Sequence, residues 1–222
     1  MSKASRLACL VIAACVVWSA TRAEAGPLAS DGNAAVHGTS APLFFSINVG
    51  TTFLISANVD YGVYAPGKFD LSFGAGADPS GGTQFVYAYQ VFNTGANDVN
   101  TVANPISIFT EGLGPNADAQ NIEALPLIHG NYGQLPDSAS FAGTTSARWD
   151  YTNNPLPIAG GTSQILLFTS PHGPSLQPGS IQGGGLGASQ PLPSPVPEPS
   201  TVALMGLGVF FLAGVQLRKR YR

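Results

Sequence analysis

Thr83-Gln84-Phe85-Val86-Tyr87-Ala88-Tyr89-Gln90-Val91-Phe92 is the stretch whose reading decides the fold. Phe85, Tyr87, Tyr89 and Val91 fall on one face of an extended chain, and Val86, Ala88, Gln90 and Phe92 on the other. Aromatic and β-branched residues fit a pleated, buried surface, so the segment reads as a strand. Asn93-Thr94-Gly95 and Asn97-Asp98 break it with turn chemistry, and Val99 to Thr110 is expected to return antiparallel, with Pro105 at an edge or bulge. Working outward, Leu43–Val49, Thr52–Val59, Tyr61–Tyr64, Lys68–Phe73, Ile122–Ile128, Ala147–Tyr151 and Ser163–Ser170 read as further strands. Gly50, Pro66-Gly67, Gly81-Gly82, Gly112 to Pro115 and Ala159-Gly160-Gly161 punctuate them. Short strands at this spacing predict an all-β fold, a β-sandwich of immunoglobulin-like or jelly-roll-like type, over residues 26–170. Phe45, Phe53, Phe85, Tyr87, Tyr89, Ile108, Trp149 and Leu167 are the expected core.

The segment 171–195 is rich in Pro and Gly and has no Asp, Glu, Lys or Arg, and it reads as a flexible linker. After it comes Val-Pro-Glu-Pro-Ser from Val196, then an apolar run from Thr201 to Leu217, then Arg218, Lys219, Arg220 and Arg222. At about 1.5 Å per residue, the 201–217 run is long enough as a helix to span a thin bilayer core. The two prolines keep the preceding segment extended and accessible. The basic tail fixes the C-terminal end on the cytoplasmic side.

This three-part tail resembles the PEP-CTERM sorting signal of Gram-negative bacteria, with Val196, Pro197, Glu198 and Pro199 as its motif. The resemblance implies exosortase as a partner, cleavage near Pro197–Pro199, and transfer of the ectodomain to the cell surface or extracellular matrix. A single-pass anchor that is never cleaved is the alternative.

The other end carries an export pattern. Lys3 and Arg6 precede an apolar run from Leu7 to Ala20, and Ala23-Glu24-Ala25 supplies small residues for signal peptidase. Residues 1–25 are thus expected to be a signal peptide, with cleavage after Ala25 and a mature N-terminus at Gly26. A lipoprotein box ending at Cys15 competes with this reading, but the apolar run continues past it.

Both cysteines, Cys9 and Cys15, lie in this leader, so the expected mature domain has neither disulfide nor thiol chemistry. Between residues 26 and 196, ten acids face only Lys68 and Arg148, a formal charge of −8. Such a surface disfavours nucleic acid.

Catalytic signatures are sparse. His37, His129 and His172 are far apart, and there is no HExxH or Gly-X-Ser-X-Gly pattern. Asp60 with Asp70, and Asp118 with Glu123, could pair as hydrolytic carboxylates only if the fold joined them. Trp149 and Tyr151 could stack on a sugar but read better as core. No catalytic residue and no metal site are assigned. No cofactor is expected, with Ca²⁺ on loop carboxylates the one candidate. The reading is a non-enzymatic, structural or adhesive exported protein associated with the inner membrane before sorting, and with the surface or exopolysaccharide after it. A secreted hydrolase or carbohydrate-binding module is the alternative.

Overall fold

The computed structural model describes residues 26–158 and 160–197. The chain is all-β, with two antiparallel sheets. The first contains β1 (Val36–Thr39), β2 (Leu43–Asn48), β3 (Thr52–Tyr64), β4 (Phe85–Asn93), β5 (Thr101–Ala103), β7 (Gln120–Ala124) and β10 (Leu166–Ser170). The second is ordered β12 (Leu186–Pro195), β11 (Pro174–Gly183), β6 (Ile108–Gly112), β9 (Ser146–Asp150) and β8 (Ser138–Ala142).

Strand β4 is central, between β3 and β10, and its alternation serves two cores. Tyr87, Tyr89 and Val91 pack with Trp149, Phe109, Phe168, Ile181 and Leu192 between the sheets. Val86 and Ala88 face a second cluster with Leu28, Tyr64, Phe69, Leu125 and Leu167. Aromatic rings dominate the first core: Tyr87 stacks on Phe168 at 5.2 Å and Phe109 on Trp149 at 5.6 Å. Of the expected core residues, Tyr87, Tyr89, Trp149 and Leu167 are fully buried, while Phe53, Phe85 and Ile108 are half-buried. Phe45 is 45% exposed, because only Leu43 of β2 reaches a core from this sheet edge.

Several expected strands are corrected. Lys68–Phe73 is not a strand: Phe69–Phe73 forms a short helix, α1. A strand would put Phe69, Leu71 and Phe73 on one face, whereas a helical turn brings only Phe69 and Phe73 together. Both pack on Tyr64, at 4.9 and 6.0 Å, and Leu71 is left 64% exposed. Val99 to Thr110 does not return along β4. β5 pairs parallel with β3, and β6 crosses to the second sheet after Pro105. Pro126 ends the strand expected over Ile122–Ile128, and a single 3₁₀ turn, Leu127–His129, follows.

The largest correction concerns 171–195, which is a hairpin rather than a linker. β11 and β12 pair over their whole length, from Pro174 opposite Pro195 to Gly183 opposite Leu186. Gly184 and Gly185, with φ of 56° and 78°, make the two-residue turn whose twist suits a hairpin. Pro174 faces Pro195, Leu176 faces Pro193 and Pro178 faces Pro191, so all five prolines share one register class. Val196 N donates to Gly173 O at 3.1 Å, which puts the cross-strand hydrogen bonds on the intervening pairs. No proline is asked for the N–H it lacks. Ile181 and Leu192 are fully buried in the first core.

Candidate functional site: the C-terminal exit and the Asp118–His172 cleft

The sorting residues emerge directly from β12. Leu192, Pro193, Ser194 and Pro195 are buried, and Val196 and Pro197 are half-buried. Four side-chain or edge contacts hold this end. Tyr89 Oη donates to Pro193 O, Tyr87 Oη to His172 O at 2.7 Å, and Ser194 Oγ to Gly112 O at 2.6 Å. Val196 itself continues the ladder to Gly173 and packs on Gly114, where a Cβ would lie 2.7 Å from Val196 Cγ2. The tyrosines of the most legible strand thus tie down the segment that precedes the sorting motif. Burial pushes both hydroxyls above the ordinary tyrosine range, so they are donors at all ordinary pH.

Glu198, Pro199, the predicted transmembrane helix 201–217, and Arg218, Lys219, Arg220 and Arg222 lie outside the described residues, as do Ala23 and Ala25. Among the described residues no helix is long and apolar enough to cross a membrane.

Beside the exit is a cleft of about 530 Å³, lined by Leu113, Asn116, Asp118, Gln120, Phe141 and Pro171, among others. His172 Nε2 lies 3.3 Å from Asp118 Oδ2, a carboxylate–histidine pair joined across 54 residues. The turn that presents Asp118 is left-handed at Asn116 and Asp118, with φ near 57° and 46°, and Asn121 at the start of β7 shares this conformation at 52°. Ser170 Oγ donates to Ala117 O at 2.6 Å, and Asn121 Nδ2 to Thr169 Oγ1 at 3.0 Å, fastening the loop to β10. Pro171 lines the cleft, and two residues on Gly173 accepts from Val196 at the exit.

The other candidates separate. Asp60 accepts from Thr39 and Gly26, while Asp70 accepts from the amides of Gly76 and Asp78 in the loop after α1. Asp118 meets His172 rather than Glu123, whose carboxyl is raised by burial. His129 Nδ1 is 3.1 Å from Phe73 O. His37 is exposed on β1. Trp149 and Tyr151 are fully buried and cannot stack on a ligand. Among the described residues no three His, Cys, Asp or Glu side chains converge as a metal would require.

Two features escaped the sequence reading. Nothing local links Asp118 to His172, although Asn116-Ala-Asp118 after Gly-Pro was a turn signal. The exit was hidden by the linker composition, although Gly183-Gly184-Gly185 between two alternating runs was a hairpin signal.

Residues 195–220 match the family model of the PEP-CTERM protein-sorting motif. The chain carries a PEP-CTERM sorting signal. The match begins at Pro195, the last residue of β12, so the sandwich and the signal abut. The motif implies export, a membrane-anchored sorting precursor and processing by exosortase. No curated protein and no solved structure matches the chain.

Proposed function

We propose that this is an exported surface or matrix protein whose sandwich is presented, after exosortase cleavage, as a structural or adhesive module. One observation carries the reading: the PEP-CTERM match starts where β12 ends, with Val196 still hydrogen-bonded to Gly173. Four residues lie between Val196 and Thr201, and the five steps along the chain reach about 17 Å even when fully extended. The protease therefore meets its scissile segment against a folded domain. Phe45 and Ile47, 45% and 44% exposed on one face of β2, support a contact role for the released module.

The test is fractionation. Replacing Pro197, Glu198 and Pro199 together by Ala is expected to leave full-length protein in the inner membrane. Neutralising Arg218, Lys219 and Arg220 is expected to weaken orientation instead. Shortening and surface delivery of the triple-Ala protein at the wild-type level would refute the sorting reading.

The Asp118–His172 cleft favours a second reading, a carbohydrate-binding or hydrolytic module. Affinity electrophoresis in the cells' own exopolysaccharide reads it out. Retardation of the wild type that is lost in Asp118→Asn supports it, and equal mobility of the two removes it.

A further inference from the structure

Asp60 on β3 is 2% exposed, and among the described residues no basic side chain pairs with it. Arg148 is bonded to Asp150 at 2.6 Å on the other sheet. Asp60 Oδ1 accepts from Thr39 Oγ1 at 2.5 Å, and its Oδ2 accepts from the backbone nitrogen of Gly26 at 2.6 Å. Directly across the ladder is Gln90, also 2% exposed. Its Nε2 donates to Tyr132 O at 2.9 Å and Ser163 O at 3.2 Å, which fixes the amide and turns Oε1 toward Gly26. That oxygen is buried without a partner among the described residues. A Cβ on Gly26 would overlap Gln90 Oε1, and would lie 2.8 Å from Phe92 Cζ and 3.0 Å from Asp60 Oδ2. Only glycine fits. Two residues on, Leu28 is fully buried in the second core and holds the segment in place.

A carboxylate on the Gly26 nitrogen and an orphaned amide oxygen packed against the same residue offer more acceptor capacity than a single peptide N–H can use. An ammonium has three donors and a positive charge. We propose that this socket is a seat for the α-ammonium of Gly26, created when the leader is removed. The inference rests on the export reading. Hydrolysis of the Ala25–Gly26 bond adds one water: Ala25 leaves with the carboxylate, and the nitrogen stays on Gly26 and takes up a proton. The bond to Asp60 then becomes an ion pair, and the new donors stand beside Gln90 Oε1. In the precursor, burial raises the Asp60 carboxyl with no countercharge to oppose it. Processing thus completes the domain, and the mature chain is more stable than the uncut one.

The test uses the leader-free chain, Gly26 to Arg222, in detergent, with the Gly26 amine free or acetylated, in wild type and in Asp60→Asn. Acetylation is expected to lower the wild-type melting temperature by about 4 °C or more and to leave Asp60→Asn unchanged. The same loss in both, or no loss in wild type, overturns the seat. Should Asp60→Asn fail to fold, titration of ¹⁵N-labelled Gly26 in wild type decides. An amine holding its proton about tenfold more tightly than an ordinary chain terminus supports the seat, and an ordinary value overturns it. Mass spectrometry of protein from cells tests the processing separately. A native chain that begins at Gly26 supports it, and one that begins elsewhere overturns the processing step whatever the seat does.

Discussion

Strand β4 and the β11–β12 hairpin are both long, well-paired strands, yet they are specified in opposite ways. β4 carries its instructions in side chains: every apolar residue of its buried stretch belongs to one of two cores, and the period of two is plain. The hairpin carries its instructions in backbone chemistry. Its prolines share one register class, its turn is a glycine pair, and only Ile181 and Leu192 reach the first core as fully buried side chains. The difference teaches that a Pro- and Gly-rich segment orders when its neighbours supply the burial and the hydrogen bonds it cannot supply itself. Here Tyr87, Tyr89 and Gly112 do so.

The sharpest way to break this comparison is to delete Pro174–Pro195. A true linker could be lost without harm. We expect loss of a single cooperative unfolding transition by circular dichroism, because the first core is uncovered and Tyr89 loses its buried acceptor. Next, Tyr89→Ala should cost about 4 kcal/mol in denaturant unfolding, the range for removing a large buried ring. Tyr89→Phe, which leaves the ring and removes the bond to Pro193 O, should cost about 1–1.5 kcal/mol.

Glu111 on β6 probes the contact between the two regions. It is fully buried beside Gly179 and Leu192, and neither carboxyl oxygen has a partner among the described residues. Burial raises its acid well above the usual range. The folded protein therefore binds this proton more tightly than the unfolded chain does. The stability that goes with that proton is fully present below the unfolded value near pH 4, and is lost as pH rises through the folded value. Glu111→Leu should stabilise the protein by about 2 kcal/mol at pH 8 and by less at pH 4, as melting curves at the two pH values would show. The smallest effect belongs to the hairpin's prolines. Pro191→Ala should lower stability by only about 0.5 kcal/mol, through a looser unfolded chain, because its position needs no ladder donor.

These contrasts also explain what could be read from the chain. The all-β class, β4 and the buried Tyr87, Tyr89 and Trp149 were legible because alternation reports burial directly. α1 reads as a strand because Phe69, Leu71 and Phe73 satisfy a period of two, while the pair Phe69 and Phe73 alone also fits one helix face, and the exposure of Leu71 separates the two. The sheet order was illegible because β4's partners β3 and β10 are chosen by distant contacts, with β10 more than seventy residues away. The sorting signal was legible as a tripartite string in sequence, and its residues 195–220 match the family model. Its seating was not legible, because Gly114 and Gly173 touch Val196 through backbone geometry alone. The Asp118–His172 pair depends on two loops meeting at the end of the sandwich, which no spacing encodes.

The direct passage from β12 into the sorting residues has a mechanical consequence. Any load applied at the C-terminal end enters the sandwich through Val196 and runs along β12. A pull in line with that strand loads its ten pairs with β11 in shear, all together, whereas a pull across the sheet would peel them one by one from Pro195 and Pro174. The tyrosine and serine bonds to Pro193 and Ser194 lie at the loaded end and brace it against peeling. A tether built this way resists tension best when the sandwich stands upright on its attachment and yields most easily when it is dragged sideways.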